Sequence, residues 1–158
     1  MDSPNALSPP QLEFVLELRV NLGPAIEMGA SASGIRRTIP ITGGTFAGPH
    51  LAGRILPGGS DWQFVESDGL TRLDAHYVIE TDDSIRIEVR NQGTRYGSSE
   101  VLARIAAGES VSPQEYYFRT TPAFYPPVGQ FDWLRHSTFV GSGERTAIQV
   151  IVKVWRVL

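Results

Sequence analysis

The sequence predicts an all-β protein, a single antiparallel β-barrel with one short helix. Apolar and charged residues alternate with a period of two in several segments, and glycines and prolines interrupt the chain at intervals of ~8–12 residues. Only one segment has helical spacing. Many of the glycines fall at bends, which favours a barrel over a sandwich. Aromatic and ionisable residues gather beside the turns, as they do in barrels that enclose a small ligand.

Composition limits the class of protein. The chain has 158 residues, 41% of them hydrophobic and 20% charged, as expected of one globular domain. Residues 1–10 are predicted to be a flexible leader and residues 11–158 the barrel. The absence of cysteine excludes disulfides and thiolate metal sites. The net charge of −3 argues against a nucleic-acid partner. No membrane span or secretion signal is recognisable, so the expected location is the cytoplasm.

The first half of the barrel begins with its clearest strand. From Leu12 to Val20 the even positions are apolar and the odd positions mostly charged. Asn21-Leu22-Gly23-Pro24 ends this strand, and residues 25–34, which have no clear period, are predicted to be a connection. A short strand follows from Ile35 to Ile41, where Pro40 indicates an edge or a strand end. Residues 43–56 form a strand bent by glycines.

The second half contains the remaining strands and the helix. Residues 62–66 and 71–81 flank a hairpin turn, and residues 85–90 alternate cleanly until Asn91-Gln92-Gly93 ends the strand. Ser98 to Gly108 is the predicted helix, with Ser99 as N-cap and Gly108 at its end. The last predicted strands are 116–120, 137–140 and 148–157.

Seven motifs occur in a characteristic order between about Phe14 and Leu158. They are Gly44-Thr45-Phe46, Leu56-Pro57-Gly58-Gly59-Ser60-Asp61-Trp62, Leu73-Asp74-Ala75-His76-Tyr77, Glu80-Thr81-Asp82-Asp83, Val89-Arg90-Asn91-Gln92-Gly93, Tyr117-Phe118-Arg119-Thr120 and Trp133-Leu134. Together they resemble the domain-of-unknown-function 3237 family, small proteins of bacteria and fungi. The resemblance implies a calycin-like (lipocalin-like) barrel with a central cavity that often self-associates, and it implies no reaction. The family commonly has glycine where this chain has Ser84, and a polar amide where it has His136.

Asp61 and Trp62 form the first candidate site. A carboxylate against an indole would have a raised pKa, because apolar surroundings penalise the charged form. Asp61 would then be a general acid. Alternatively, Asp61 caps the preceding glycine turn by accepting backbone N–H bonds, which would lower its pKa. The two interpretations differ in the sign of the shift.

Residues 71–81 hold the densest set of ionisable side chains. Asp74, His76 and Glu80 share one face of the predicted strand, and Tyr77 lies among the mostly apolar residues of the other. Either the odd-numbered face is in the core and the even-numbered face in water, or the even-numbered face lines a polar cavity. In the second case Asp74 would orient His76 as a general base.

Arg119 follows three aromatic residues, Tyr116 to Phe118. We expect it to be mostly buried and bonded to a carboxylate, either Asp61 or Asp74 or one on a substrate, because an unpaired buried guanidinium is costly. Phe124 and Trp133 either pack in the core or form flat walls around a ligand.

These residues predict a cofactor-free enzyme that uses general acid–base catalysis on a small hydrophobic or aromatic metabolite, as an isomerase, cyclase or lyase of secondary metabolism. The proton-transfer candidates are Asp61, Asp74 and His76. The candidates for substrate binding are Trp62, Tyr77, Tyr117, Arg119, Phe124, Trp133 and His136. The alternatives are a non-catalytic carrier of such a metabolite and a structural protein with a packed interior.

The expected partners are this small molecule and further copies of the chain in a homo-oligomer. No metal is expected, because the three histidines lack the spacing of metal ligands.

Overall fold

The computed structural model describes residues 6–158, which form a closed antiparallel β-barrel with one α-helix, as predicted. Residues 1–5 of the predicted leader lie outside the described residues, and residues 6–10 have no secondary structure. The strands are β1 (Leu12–Leu22), β2 (Ile26–Ser31), β3 (Gly34–Ala47), β4 (Ala52–Ile55), β5 (Gly59–Glu66), β6 (Thr71–Thr81), β7 (Arg86–Tyr96), β8 (Tyr117–Tyr125), β9 (Thr138–Arg145) and β10 (Gln149–Val157). The helix α1 spans Ser99–Ala106, and short 3-10 turns span Pro113–Glu115 and Asp132–Leu134.

The barrel closes because β1 pairs with both β10 and β3. From β10 the sheet continues through β9, β8, β7 and β6. Between β6 and β3, the strands β4 and β5 follow one another and fill a single position, so the barrel has eight positions in all. β2 pairs with the start of β3, beyond the stretch that pairs with β1. The β2–β3 hairpin therefore projects from one rim.

Several strand predictions were wrong. Residues 43–56, predicted as one bent strand, are divided between β3 and β4 with a break at 48–51. The errors at β2 and β7 have identifiable reasons. All six residues of β2 are exposed, so no buried face imposed a period on its sequence. β7 does not end at Asn91-Gln92-Gly93 but continues to Tyr96. Gly93 is required inside this strand, since a Cβ there would lie 2.2 Å from the Arg119 carbonyl oxygen.

Pro40 lies within β3 and not at an edge or a strand end. It falls between the residues of β3 that pair with β1 and those that pair with β2. Its carbonyl accepts a bond from the Gly23 N–H at 2.8 Å. Proline is tolerated here because no strand residue pairs with position 40 on this side of β3, so the absent N–H leaves no hydrogen bond of the sheet unformed.

The helix begins one residue earlier than predicted from a Ser99 cap. Ser98 is the N-cap, and its side chain accepts a bond from the Val101 N–H at 3.2 Å. Gly108 ends the helix with a φ of 78°, a conformation that favours glycine. Val101 and Ile105 are buried, so this face of α1 packs onto one end of the barrel. No helix within residues 6–158 has the length and apolarity needed to cross a membrane.

The barrel interior has two apolar ends. The larger cluster fills the end closed by the 3-10 turn at Asp132–Leu134, and it includes Leu16, Leu18, Ile79, Ile87 and Phe139. The smaller cluster joins Val101 and Ile105 of α1 to barrel and loop residues, namely Leu73, Val111, Tyr116 and Phe118. Polar side chains are buried between these ends, and they define the region where a site can form.

Candidate functional site

A belt of polar side chains crosses the middle of the barrel. Alternation along the strands directs odd-numbered residues of β5, β6 and β7 inward. The buried polar residues of this belt are Asp61, Gln63, Asn91, Arg95 and Thr120, with Tyr77 beside them. The carbonyl oxygen of the Asn91 amide, the Thr120 hydroxyl and two nitrogens of Arg95 are buried without a hydrogen-bond partner among the described residues. Unpaired polar atoms of this kind are rare in proteins and point to a ligand or to bound water.

Asp61 is the buried carboxylate of the belt. Its Oδ2 accepts a bond from Gln63 Nε2 at 2.7 Å, and its Oδ1 accepts one from the backbone N–H of Asp74 at 3.2 Å. Burial raises the pKa of Asp61, although both hydrogen bonds and the charge of Arg95 favour the anion. Asp61 is therefore easier to protonate than an ordinary aspartate, which is the property required of a general acid.

The raised pKa has the predicted sign, but its cause is different. Trp62 lies on the opposite face of β5 and is 55% exposed, so its indole does not cover Asp61. Asp61 is not a turn cap either, because it lies within β5 and accepts its backbone bond from β6. Burial inside the barrel causes the shift.

A small cavity adjoins Asp61. It has a volume of about 40 Å³, and its polar lining consists of Asp61, Tyr77, Asn91 and Thr120. Burial also raises the pKa of Tyr77, so its hydroxyl keeps its proton and can donate a hydrogen bond. The cavity has room for water molecules or a small reacting group, but it falls well below the ~300 Å³ of common ligand pockets.

A larger hollow of about 630 Å³ opens beneath α1 and the β2–β3 hairpin. Its basic side chains are Arg37, Arg95 and Arg145, and its apolar lining includes Ile39 and Leu102. Arg37 connects the hollow to the belt, because its Nε donates to Gln63 Oε1 at 2.8 Å while Gln63 donates to Asp61. A ligand in the hollow would therefore lie close to the Asp61 network.

Asp74 and His76 do not line the cavity, which corrects the interpretation of them as a catalytic pair. Both are on the outer face of β6, because the odd-numbered residues of this strand face the core and the even-numbered residues face solvent. This is the first of the two arrangements considered from the sequence. Asp74 forms two bonds with Arg90, at 3.1 and 2.9 Å, and His76 Nε2 lies 2.8 Å from Glu88 Oε1. The Arg90 hydrogen bonds lower the pKa of Asp74, so it is a poor proton donor. Asp74 orients Arg90 and not the imidazole.

Arg119 also contradicts its prediction. It is exposed on the outer face of β8, donates to the Phe118 carbonyl at 2.9 Å, and has its guanidinium carbon 5.6 Å from the centre of the Tyr117 ring. Tyr117 is 55% exposed. The aromatic run misled the prediction because its members alternate between the two faces, and only Tyr116 and Phe118 turn inward.

The other predicted binding residues lie away from the cavity. Phe124 and Trp133 pack around Phe139 in the closed apolar end, with ring centres 5.1 and 6.5 Å from it, so they belong to the core. His136 follows the second 3-10 turn and is exposed. Of the ten predicted site residues, only Asp61 and Tyr77 border the cavity.

Four residues of the belt were not predicted from the sequence: Gln63, Asn91, Arg95 and Thr120. Extending the alternation of β7 past Asn91 would have placed Asn91, Gly93 and Arg95 on the face of Ile87 and Val89. Within residues 6–158, no three His, Cys, Asp or Glu side chains are grouped so that they could hold a metal ion.

Comparison with known proteins supports the assignment of the chain to a family. A family described as "Protein of unknown function (DUF3237)" matches residues 10–157. A UPF0311 protein of Rhodopseudomonas palustris is 38% identical over 148 residues, which are 94% of this chain and 97% of that protein. The crystal structure of the conserved protein of unknown function RPA1785 from the same species superposes with a TM-score of 0.93. That pair is 36% identical, and the match covers 96% of this chain and 100% of the other.

A relative named for a reaction matches a shorter part of the chain. The hydroalkoxylation enzyme phnH of Penicillium herquei is 38% identical over 82 residues, which are 52% of this chain and 54% of that protein. An enzyme therefore occurs among the proteins that this barrel resembles.

Proposed function

The chain belongs to the DUF3237 family of proteins of unknown function, and we propose that it is a cofactor-free enzyme with Asp61 as its proton-transfer group. The observation that carries the proposal is a carboxyl group buried inside the barrel beside unpaired polar atoms. Asp61 is 8% exposed, and the cavity next to it is lined by the Tyr77 hydroxyl and the Asn91 amide. A group whose raised pKa brings it nearer to neutrality can both donate and accept a proton.

The reaction class we propose is the addition of a hydroxyl group across a carbon–carbon double bond within one molecule, in keeping with the name of the fungal relative. The carboxyl of Asp61 gives its proton to one alkene carbon while the hydroxyl oxygen bonds to the other. The hydroxyl proton then returns to the Asp61 carboxylate. One O–H bond and one π bond break, one C–O bond and one C–H bond form, and no electrons are gained or lost. Isomerisation would use the same proton transfers.

The test uses 2-(3-methylbut-2-enyl)phenol, which would cyclise to 2,2-dimethylchroman. In D₂O the product should gain one carbon-bound deuterium, measured by mass spectrometry and NMR. Asp61→Asn should lower turnover ~100-fold or more, because the acid is lost while the shape is kept. Asp74→Asn is the matched control, since it makes the same chemical change on the outer face of the neighbouring strand. Undiminished turnover in Asp61→Asn, or equal loss in both variants, would remove Asp61 from this role.

The carrier hypothesis is favoured by one observation, the small volume of the cavity beside Asp61. Asp61 lines the small cavity but not the hollow, so a substrate held in the hollow could reach Asp61 only if side chains moved. A carrier would bind its ligand in the hollow alone. Its affinity would then be unchanged in Asp61→Asn, and no deuterium would enter the probe.

A further inference from the structure

Three arginines face the hollow beneath α1 with few acidic partners. They come from three strands: Arg37 from β3, Arg95 from β7 and Arg145 from β9. The acidic residues lining the hollow are Glu27, with a carboxylate oxygen 4.0 Å from Arg37 Nη1, and Asp68, whose Oδ1 accepts a bond from the Leu70 N–H. Neither forms a close ion pair with Arg95 or Arg145. The acid whose charge acts on both arginines is Asp61 of the belt, which does not line the hollow, so the lining itself has three basic and two acidic side chains.

Arg95 is the deepest of the three. It is 5% exposed, and its Nε and Nη1 have no acceptor among the described residues. Its guanidinium carbon lies 5.6 Å from the centre of the Phe118 ring. Burial and the charges of Arg37 and Arg145 lower the pKa of Arg95 to about 10, which still leaves it charged at neutral pH. A buried guanidinium with two unused donor nitrogens is costly unless an anion accepts its bonds.

The other two arginines are already held in place. Arg145 Nη1 donates to the carbonyl oxygens of Thr146 and Gln149, and Arg37 Nε donates to Gln63. Burial and the neighbouring charge of Arg37 lower the pKa of Arg145. Their charges repel that of Arg95 instead of compensating it. A ligand with a negative charge would relieve this repulsion.

We propose that the hollow binds an organic oxyanion, a carboxylate or a phenolate carried on an apolar or aromatic body. The oxyanion accepts bonds from Nε and Nη1 of Arg95 and lies within the field of Arg37 and Arg145. The body packs against the apolar lining, which includes Ile39, Val65, Leu102 and Ile105. Binding of the anion does not depend on the proposed function. The identification of this anion as the enzyme's substrate does rest on the proposed function. The hollow would hold the charged end while the uncharged end points toward Asp61.

The experiment compares 2-naphthoate with neutral 2-naphthamide, two probes of nearly the same shape. Isothermal titration calorimetry of the wild type should show that 2-naphthoate binds at least ~10-fold more tightly, because a charge-assisted hydrogen bond is worth that much or more. Arg95→Met should abolish this preference. Arg119→Met is the matched control, since Arg119 lies on the outer face of β8, and it should bind both probes as the wild type does.

Several outcomes would overturn the anion site. Equal affinities for the two probes in the wild type, or no binding of either at millimolar concentration, would do so without any variant. An unchanged preference in Arg95→Met would also do so. We expect the melting temperature of ligand-free Arg95→Met to be no lower than that of the wild type, since the variant removes an unpaired buried charge. A lowered melting temperature would indicate that the structure itself satisfies Arg95.

Asp61→Asn separates this inference from the proposed function. This variant should bind 2-naphthoate at least as tightly as the wild type. The substitution replaces an ionisable carboxyl with a neutral amide, so any negative charge that competes with the ligand for Arg95 is removed. If Asp61→Asn keeps its turnover while the wild type prefers 2-naphthoate, the acid assignment fails and the anion site stands. If turnover depends on Asp61 but the wild type binds 2-naphthoate and 2-naphthamide equally, the anion site fails and the acid assignment stands.

Discussion

Asp61 owes its chemistry to its position along β5 and not to its neighbour in sequence. Adjacent residues of a strand point to opposite faces, so the Asp61-Trp62 pair is separated by the sheet. Asp74 has the same side chain and lies opposite Trp62 on the outer face. Burial raises the pKa of Asp61, whereas the Arg90 hydrogen bonds lower the pKa of Asp74. Two carboxyl groups on neighbouring strands thus differ because one faces the interior and the other faces solvent.

Stability should depend on pH in the direction set by Asp61. Its pKa is raised above 3.8 in the folded state, so the folded protein holds this proton more tightly than the unfolded chain. The resulting stabilisation is complete below about pH 3.8 and is lost as pH rises through the folded-state pKa. The free energy of unfolding of the wild type minus that of Asp61→Asn should therefore fall over this interval, as measured by urea unfolding.

The difference between wild type and variant is needed because other groups act in the opposite sense. The lowered pKa values of Asp74, Glu80 and Asp83 stabilise the fold as pH rises. A side-chain NMR titration that placed Asp61 below 3.8 would contradict the burial argument.

At the scale of single elements, glycines on β7 and β9 make room for two inward-facing side chains of β8, Thr120 and Phe118. A Cβ at Gly93 would lie 2.7 Å from Thr120 Cγ2, and one at Gly141 would lie 2.3 Å from Thr120 Oγ1. Phe118 occupies the corresponding space beside Gly143, where a Cβ would lie 2.6 Å from the ring. These glycines serve the packing of the belt rather than any turn.

Gly143→Ala should therefore destabilise the protein by about 1–3 kcal/mol, the range measured for overpacked cores. The buried Phe118 ring would have to move, and with it the contact to Arg95. Ser142→Ala is the matched control on the outer face of the same strand and should change stability by less than ~0.5 kcal/mol. Urea unfolding measures both. A loss of stability in Gly143→Ala as small as that in Ser142→Ala would show that the interior has room for the added methyl group.

The strands whose buried face is a nearly unbroken series of apolar residues were predictable from sequence, whereas a strand with two exposed faces, or one whose buried face includes glycine and polar residues, was not. β1 and β6 alternate cleanly and were assigned nearly to the residue. β2 carries no period because both of its faces are exposed. For the site, Asp61 was found as a candidate, but the hollow requires knowledge of which strands are neighbours. Arg37, Arg95 and Arg145 lie far apart in the sequence on three different strands, and the barrel brings them together.

At the scale of the whole molecule, the two ends of the barrel are closed differently. One end is filled by the larger apolar cluster, which includes Leu134 of a 3-10 turn. The other is covered by α1, which buries only Val101 and Ile105. The hollow lies at the end with the lighter cover. Self-association stays a prediction, and light scattering would measure it.

We expect α1 to open more readily than the barrel wall. Segments with few buried apolar contacts open locally at lower free energy than core strands. Amide hydrogens of α1 should therefore exchange faster with D₂O than those of β6 and β7, as followed by NMR or mass spectrometry. Saturating 2-naphthoate should slow exchange in α1 and leave β10 unaffected. Equal protection of α1 and β6 would show that the hollow is not entered from this end.

The pairing of β1 with β10 also affects how the protein is made. β1 leaves the ribosome first and β10 last, yet the two strands run side by side from Leu12 opposite Val157 to Asn21 opposite Gln149. The nascent barrel therefore stays open until the final strand has emerged. Throughout translation β1 presents an unpaired edge that another nascent chain can join.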